Sequence, residues 1–221
     1  MRRRLLGFLT DDAMSCSSPI LLIRHGEKEN PPDDDPFMDV ALNDNGIKDS
    51  HTLGGLLRMM FDTPLTAIHS SPLKRCVMTS ENITEGYGID LDIKTSNVLG
   101  DPGPYVKDEK IAVESFLKIY PDNIVKRHFD GEMIPGFRSL EEGSSMILKY
   151  LFENRDNGIS IHITHDVIIA SLIGYLTGKI RDVENWIGYH EGICFFDKEG
   201  SFFMDCTEGQ FNVDEKLLST L

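Results

Sequence analysis

The sequence predicts one α/β domain built on a mainly parallel sheet, and three observations support this prediction. A chain of 221 residues with 40% hydrophobic content can bury one substantial core but is short for two. Residues 20–23 form an unbroken apolar run of strand length, which is typical of a strand covered by helices on both faces. Further predicted strands are separated by predicted helices, as the connections of a parallel sheet require.

The elements of the first half lead charged residues to one edge of this sheet. The strand at residues 20–23 ends in Arg24-His25-Gly26, at the carboxyl edge where open α/β sheets place their ligands. A helix capped by Asn43 follows, and then a second strand at residues 67–70. Ser71-Pro72 predicts the start of the next helix, as a cap followed by proline in the first turn, and we expect that helix to extend to Gly86.

The middle of the chain is predicted to add one strand and an insertion. Residues 89–93 alternate between apolar and polar side chains with the period of a strand. Residues from about 103 to 138 lack strand character and predict one helix, at residues 114–120. We interpret this stretch as a small cap region inserted over the carboxyl edge of the sheet.

The last third repeats the strand and helix pattern before a final hairpin. Ser139 and Glu142 match a capping box, which predicts the start of a helix. A strand at residues 159–164 ends in His165-Asp166, and an apolar helix at residues 167–176 follows it. We expect a hairpin near the end, from strands at residues 193–196 and 202–204 joined by a polar turn.

Composition narrows the range of partners. The 22 Lys and Arg residues against 36 Asp and Glu residues give a formal net charge of -14, which should repel nucleic acid and anionic membranes. No stretch approaches the roughly 20 apolar residues of a membrane span.

The four cysteines lack CxxC spacing, which favours free thiols in a reducing compartment. Residues 1–18 are expected to form a mobile N-terminal leader whose apolar run is too short for a signal peptide, so we expect a cytoplasmic protein.

Two predicted strands that are distant in the sequence each end in a histidine. Because parallel strands joined through helices end at the same edge, His25 and His165 should lie close together. Arg24 precedes His25, and Arg75 follows another strand in the first turns of its helix. Guanidinium groups form bidentate charge-assisted hydrogen bonds with phosphoryl oxygens, and an imidazolium adds another donor. A neutral imidazole can attack phosphorus in line, so these four residues predict a site for phosphoryl transfer.

Four segments combine into a longer pattern. They are residues 20–27, Leu42-Asn43 with Gly46 and Leu53-Gly54, residues 70–76 with Thr79, and residues 163–166. In this order, the segments resemble the histidine phosphatase superfamily, which also contains the cofactor-dependent phosphoglycerate mutases. The resemblance implies a three-layer α/β/α sandwich, as a single domain across residues 19–221. It also implies that His25 is phosphorylated, that Arg24, Arg75 and His165 hold the phosphoryl group, and that neither a metal nor another cofactor is required.

The residue that protonates the leaving oxygen is open between two carboxyl groups. The mutase-like branch of the family places an acid after the third strand, where this chain offers Asp101 in place of the usual glutamate. The acid-phosphatase branch places an aspartate directly after the second histidine, which here is Asp166. We favour Asp101, because Asp166 begins an apolar helix and has an alternative role as its cap.

The resulting hypothesis is a metal-independent phosphatase that acts through a phosphohistidine. Its partner would be a small phosphorylated substrate or a phosphoprotein, and the sequence carries no signal of oligomeric state. A mutase that returns the phosphoryl group to a reoriented substrate is the alternative enzyme. An inactive module that only recognises phosphate is the alternative from another class.

Overall fold

The computed structural model describes residues 5–32, 35, 39–119 and 121–218, and the sheet at its centre has seven strands. These are β1 (Ile20–Arg24), β2 (Leu65–Ser70), β3 (Ile93–Thr95), β4 (Ile159–Thr164), β5 (Gly192–Lys198), β6 (Ser201–Cys206) and β7 (Gly209–Asn212). They lie in the order β3-β2-β4-β1-β5-β6-β7. The strands from β3 to β1 are parallel, and β5, β6 and β7 extend the sheet as antiparallel neighbours. The sheet is therefore mainly parallel where it forms the core.

The register of the parallel strands brings three carboxyl ends to one level. Arg24 pairs with Thr164 across β1 and β4, and Ser70 pairs with Ile163 across β2 and β4. The residues that follow these strands therefore leave the sheet from neighbouring points on the same edge.

Helices cover both faces of the sheet. They are α1 (Asp11–Ser15), α2 (Asp44–Met60), α3 (Lys74–Tyr87), α4 (Glu109–Phe116), α5 (Pro121–Phe129), α6 (Leu140–Glu153), α7 (Asp166–Thr177) and α8 (Asp214–Leu218). Alternate residues of β1 point to opposite faces. Leu21 and Ile23 belong to a core cluster with residues of α2 and α3, whereas Ile20 and Leu22 belong to one with residues of α6 and α7. The predicted three-layer α/β/α sandwich is confirmed.

Residues 5–18 pack against this sandwich, so the expectation of a mobile leader is wrong for that stretch. Leu6 is 2% exposed and Ala13 is 0% exposed, and both belong to the core cluster on the α2 and α3 face. The backbone N and the hydroxyl of Thr10 donate hydrogen bonds to Asp205 at 2.8 and 2.6 Å. The short apolar run near the N-terminus thus contributes to the core, because its side chains cover apolar surface of the sheet layer. Residues 1–4 lie outside the described residues.

Two boundaries near the carboxyl edge differ from the prediction. Helix α3 begins at Lys74 rather than after Ser71, and its first turn has no side-chain cap. The Ser71 hydroxyl instead contacts His165 Nε2 at 3.1 Å and accepts from Leu73 N at 3.4 Å. The strand predicted at residues 89–93 is found at Ile93–Thr95 and shares one residue with the prediction, because only these three residues pair with β2.

The insertion at residues 103–138 contains two helices, α4 and α5, where the sequence predicted one. Pro121 explains the division, because proline cannot continue a helix but fits the first position of a new one.

Strand β7 was also not predicted, and it pairs with β6 at the edge of the sheet. Within the described ranges, no helix has both the length and the apolar character needed to cross a bilayer.

The other elements of the last third follow the prediction. Ser139 and Glu142 form the capping box that starts α6, with both reciprocal contacts present. Helix α7 ends at Gly178, which adopts the left-handed conformation that terminates many helices. Strands β5 and β6 form the expected hairpin, with Glu199-Gly200 between them.

Candidate active site

His25, Arg75 and His165 meet at the carboxyl edge of the parallel strands. The rings of His25 and His165 lie edge to face, with centroids 5.3 Å apart. The Arg75 guanidinium contacts both rings, with Nε 3.3 Å from His25 Nε2 and Nη2 3.4 Å from His165 Nδ1. Side chains that follow β1 and β4 and one from the first turn of α3 therefore form one cationic cluster.

The surroundings of His25 determine its protonation state. Its side chain is 3% exposed. Burial lowers the pKa of His25 well below its usual value, and His165, Arg75 and Arg24 act in the same direction, with partial opposition from the Gly26 hydrogen bond. Nδ1 lies 2.8 Å from the Gly26 carbonyl oxygen, and since a carbonyl only accepts, Nδ1 carries the proton. Arg75 Nε only donates, so Nε2 of His25 is unprotonated and accepts this hydrogen bond through its lone pair.

His165 is neutral as well. Burial and the charges of Arg75 and Arg24 lower the pKa of His165 to about 3. Its Nδ1 accepts from Arg75, so its proton lies on Nε2 and is directed at Ser71 Oγ, 3.1 Å away. In the absence of a bound anion, burial and the two guanidinium groups therefore favour the neutral His165 ring over the imidazolium donor that the sequence predicts.

Position 100 requires glycine for His165 to occupy its place. Gly100 has φ of 137°, a conformation that other residues rarely adopt. A Cβ on this residue would lie 2.3 Å from Cδ2 of His165. The glycine thus lets the chain pass against the imidazole ring before it reaches Asp101.

Arg24 is held by three partners. Its Nη1 donates to the Ile187 carbonyl at 2.6 Å, its Nη2 lies 2.8 Å from Asp166 Oδ2, and its guanidinium carbon is 4.4 Å from the centre of the Tyr189 ring. The Tyr189 ring also lies 5.9 Å from the His25 ring. Arg24 Nε is buried and has no hydrogen-bond partner among the residues that the structure describes. A buried donor without a partner is costly, so a hydrogen bond to Nε would be favourable if a ligand oxygen came within reach.

Thr79 and Asp39 fix the position of Arg75. The Thr79 hydroxyl accepts from Gly26 N at 2.9 Å and donates to the Arg75 carbonyl at 2.7 Å. Both carboxylate oxygens of Asp39 accept from Lys74 N at 3.0 Å, and Oδ1 lies 3.5 Å from Arg75 Nη1. Asp39 therefore occupies the N-terminus of α3, where the unpaired backbone N–H groups of a helix attract negative charge. Sequence reasoning did not identify Asp39, because no local pattern links it to that helix.

The two aspartates proposed as proton donors have different neighbours. Asp166 pairs with Arg24, accepts from Trp186 Nε1 at 3.1 Å through Oδ2, and accepts from Val167 N at 2.8 Å through Oδ1. Asp101 is exposed, and it lines a cleft together with Arg75. In the described part of the chain, no group of three or more His, Cys, Asp or Glu side chains is arranged to hold a metal ion.

An α/β sandwich that brings two histidines and two arginines to the carboxyl edge of its parallel strands has the side chains that suit a phosphoryl group. The model of the histidine phosphatase superfamily (branch 1) matches residues 20–190, and the chain belongs to this superfamily. The resemblance carried by the four sequence segments is thereby confirmed. No curated protein matches the chain.

Solved structures share this fold at low sequence identity. A phosphoglycerate mutase from Bacillus anthracis str. Sterne has a TM-score of 0.57 and 14% identity, over 96% of this chain and 99% of that chain. A mutant phosphoserine phosphatase from Entamoeba histolytica in complex with phosphoserine has a TM-score of 0.53 and 17% identity, over 90% and 97%. The ecdysone phosphate phosphatase of Bombix mori in complex with tungstate has a TM-score of 0.50 and 16% identity, over 81% and 89%. Mutases and phosphatases thus share the architecture.

Proposed function

We propose that the protein is a phosphatase that hydrolyses a phosphomonoester through a phosphohistidine on His25. The lone pair on His25 Nε2 is the observation that carries this proposal. Gly26 holds the ring in the tautomer that leaves Nε2 unprotonated, and Arg75 lies next to that atom. Because burial and neighbouring cations lower the pKa of His25, the ring is a neutral nucleophile at physiological pH.

The reaction has two steps. His25 Nε2 forms a bond to phosphorus while the bond from phosphorus to the leaving oxygen breaks, and that oxygen takes a proton from Asp101. A water molecule then attacks the phosphohistidine and returns a proton to the Asp101 carboxylate. The bond between nitrogen and phosphorus breaks, and inorganic phosphate is released. A covalent intermediate divides one difficult displacement into two easier ones.

Arg24 and Arg75 stabilise the charge on the transferred group. The partners of Arg24 fix its guanidinium while leaving Nε as a buried donor. Donors held in place before the reaction stabilise developing charge without reorganisation, and this contribution is often the largest in catalysis. A phosphoryl dianion next to His165 would favour the protonated ring, which gives His165 a role as a further donor once substrate binds.

Rapid-quench measurements with radiolabelled phenyl phosphate test the nucleophile. Wild-type protein should accumulate an acid-labile phosphoenzyme and release one inorganic phosphate for each ester consumed. His25→Ala should form no phosphoenzyme and lose on the order of 10³-fold or more in kcat/KM. His51→Ala is the matched control, because His51 is an exposed histidine on α2 and should leave both readouts unchanged.

Three results would contradict the proposal. Equal turnover by wild type and His25→Ala would exclude His25 as the nucleophile. An isomerised phosphoester without phosphate release would instead indicate a mutase. Binding of phosphorylated ligands without turnover of any ester would indicate a phosphate-recognising module.

A further inference from the structure

A cleft opens beside Arg75 and extends along helix α4. Its volume is about 380 Å³, which lies in the range of sites that hold a small molecule. Arg75, Lys28 and Asp101 are among the residues that line this α4 cleft. Burial lowers the pKa of Lys28, and the charges of Arg75 and Arg24 lower it further, so Lys28 shares the cationic environment of the cluster. A molecule in the cleft can therefore place an anionic group at this end.

Arg75 connects the α4 cleft to the nucleophile. Its Nε is 3.3 Å from His25 Nε2, while the same side chain forms part of the cleft wall. A phosphoryl group at His25 would therefore lie where the cleft begins. The remainder of the substrate, which departs as an alcohol, would extend along the cleft.

The wall along which this alcohol would lie is apolar. Helix α4 turns one face to the cleft, because Glu109, Ala112, Val113 and Phe116 recur at the three- and four-residue spacing of a helix face. Phe116 is fixed by an edge-to-face contact with Phe137, with ring centroids 5.2 Å apart. Leu73, Pro102 and Val106 complete the apolar lining.

This wall offers few polar partners to a hydroxylated leaving group. Beyond the charged end, Glu109 is the one charged residue that α4 contributes to the lining. Hydroxyl groups placed against aliphatic and aromatic side chains lose hydrogen bonds to water without replacement, whereas methylene groups gain from leaving water.

A larger cavity of about 730 Å³ lies between residues 5–8 and α2. None of Arg24, His25, Arg75 and His165 is among its described lining residues. It borders the catalytic residues through Tyr189, which packs against Arg24 and His25, whereas the α4 cleft includes Arg75 itself.

We infer that the substrate is a small phosphomonoester whose leaving alcohol is apolar and fills the α4 cleft. This inference rests on the proposed phosphatase function, and it specifies the substrate class of the same site. Lys28 and Arg75 hold the anionic end, and Leu73, Val113 and Phe116 contact the apolar end.

Alkyl phosphates of different chain length test the inference. Propyl and hexyl phosphate have leaving alcohols of similar acidity, so differences in kcat/KM report contacts of the chain. Wild type should prefer hexyl phosphate over propyl phosphate by at least about tenfold, because three more methylene groups leave water and full burial of all three would give about 50-fold. Glycerol 3-phosphate and phosphocholine should be poorer substrates than hexyl phosphate. Equal kcat/KM values for hexyl and propyl phosphate would overturn the inference. A higher kcat/KM for glycerol 3-phosphate or phosphocholine than for hexyl phosphate would overturn it as well.

A pair of variants on α4 locates the preference. Val113 lines the cleft and is 37% exposed, whereas Ile111 lies on the same helix, is 42% exposed and does not line it. Val113→Ser should lower the ratio of kcat/KM for hexyl phosphate to kcat/KM for propyl phosphate by about threefold, because the longer chain loses apolar contact. Ile111→Ser should leave the ratio at the wild-type value. Equal effects of the two substitutions would overturn the placement of the alcohol on α4.

Binding of non-hydrolysable phosphonates separates this inference from the proposed reaction. Calorimetric titration of wild type with hexylphosphonate and propylphosphonate measures the affinity of the cleft for each chain without turnover. Hexylphosphonate should bind at least about tenfold more tightly, because three more methylene groups leave water. If no ester is hydrolysed but this difference in affinity is found, the phosphatase proposal fails and the apolar cleft stands. If esters are hydrolysed through His25 and the two phosphonates bind equally, the phosphatase proposal is supported. The assignment of an apolar leaving alcohol to the α4 cleft is then wrong.

Discussion

The carboxyl groups of Asp101 and Asp166 differ in what surrounds them. Both oxygens of Asp166 are engaged, by Arg24, by Trp186 Nε1 and by the Val167 backbone. A carboxylate held in this way fixes the arginine, and its oxygens are not directed at a leaving group. Asp101 lines the α4 cleft, and no described residue forms a hydrogen bond or ion pair with its side chain. We therefore keep Asp101 as the proposed donor and assign Asp166 to the positioning of Arg24.

The acidity of the leaving group distinguishes these two roles. A p-nitrophenolate leaves without a proton, whereas an alkoxide needs one. Asp101→Asn should reduce kcat on propyl phosphate by about 10²-fold or more while changing kcat on p-nitrophenyl phosphate less than about tenfold. Asp166→Asn should reduce both activities to a similar extent, because it releases Arg24 whichever group departs. The assignments would have to be exchanged if Asp166→Asn showed the dependence on leaving group and Asp101→Asn did not.

Among the elements, the loop at residues 186–191 carries two of the three contacts that hold Arg24, from Ile187 and Tyr189, and a buried ion pair holds the loop. Arg181 is 3% exposed, and its Nη1 donates to Glu191 Oε1 at 3.0 Å. Glu191 Oε2 accepts from Gly188 N at 2.9 Å, so its carboxylate links Arg181 to the loop backbone. Buried charges depend on such partners, and removing one partner leaves the other charge uncompensated.

Replacing Arg181 by methionine should therefore destabilise the protein by about 3 kcal/mol. The kcat/KM for phenyl phosphate should fall as well, because the loop no longer fixes Arg24. Urea unfolding and steady-state kinetics measure the two effects. Lys126→Met is the control, since the ion pair of Lys126 with Asp130 is exposed and should contribute less than about 1 kcal/mol. A stability loss for Arg181→Met no larger than that of the control would show that the buried pair does not hold the loop.

The fold elements that sequence predicted correctly are those encoded by neighbouring residues. Ser139 and Glu142 predicted the start of α6 because both members of the capping box lie within one turn. The apolar runs before His25 and before His165 predicted β1 and β4 for the same reason. The Ile187 carbonyl on Arg24 could not be predicted, because every residue has a carbonyl and the contact spans a sequence separation of 163. Asp39 on α3 was missed in the same way, across a separation of 35.

At the scale of the whole molecule, buried histidines make the folded state sensitive to acid. Burial lowers the pKa of His128 and of His190 to about 4 and is the largest cause of the lowered pKa of His165, about 3. It also lowers the pKa of His25 and His162 well below the usual value. The unfolded chain, with histidine pKa values near 6.5, binds more protons as the pH falls below that point. Stability is therefore fully present above about pH 6.5 and is lost as the pH falls towards the folded values.

The decline of net charge towards zero near the isoelectric point of about 4.8 acts in the opposite direction, because it reduces repulsion across the surface. Replacing one buried histidine separates the effect of its protonation on stability from this general effect of net charge. Both ring nitrogens of His128 are buried without hydrogen-bond partners in the described part of the chain, and Tyr105 and Phe137 pack against the ring. Phenylalanine fits such an aromatic site and cannot take up a proton.

His128→Phe should stabilise the protein at neutral pH by about 1 kcal/mol, because it removes two unsatisfied polar atoms from the interior. The stability difference from wild type should then grow by about 1 to 2 kcal/mol between pH 7 and pH 5, since only wild type must keep this site unprotonated. Urea unfolding at each pH measures the difference. His51→Ala removes an exposed histidine and should show no comparable dependence on pH. A difference that stays constant from pH 7 to pH 5 would show that His128 does not contribute to the acid sensitivity of the fold.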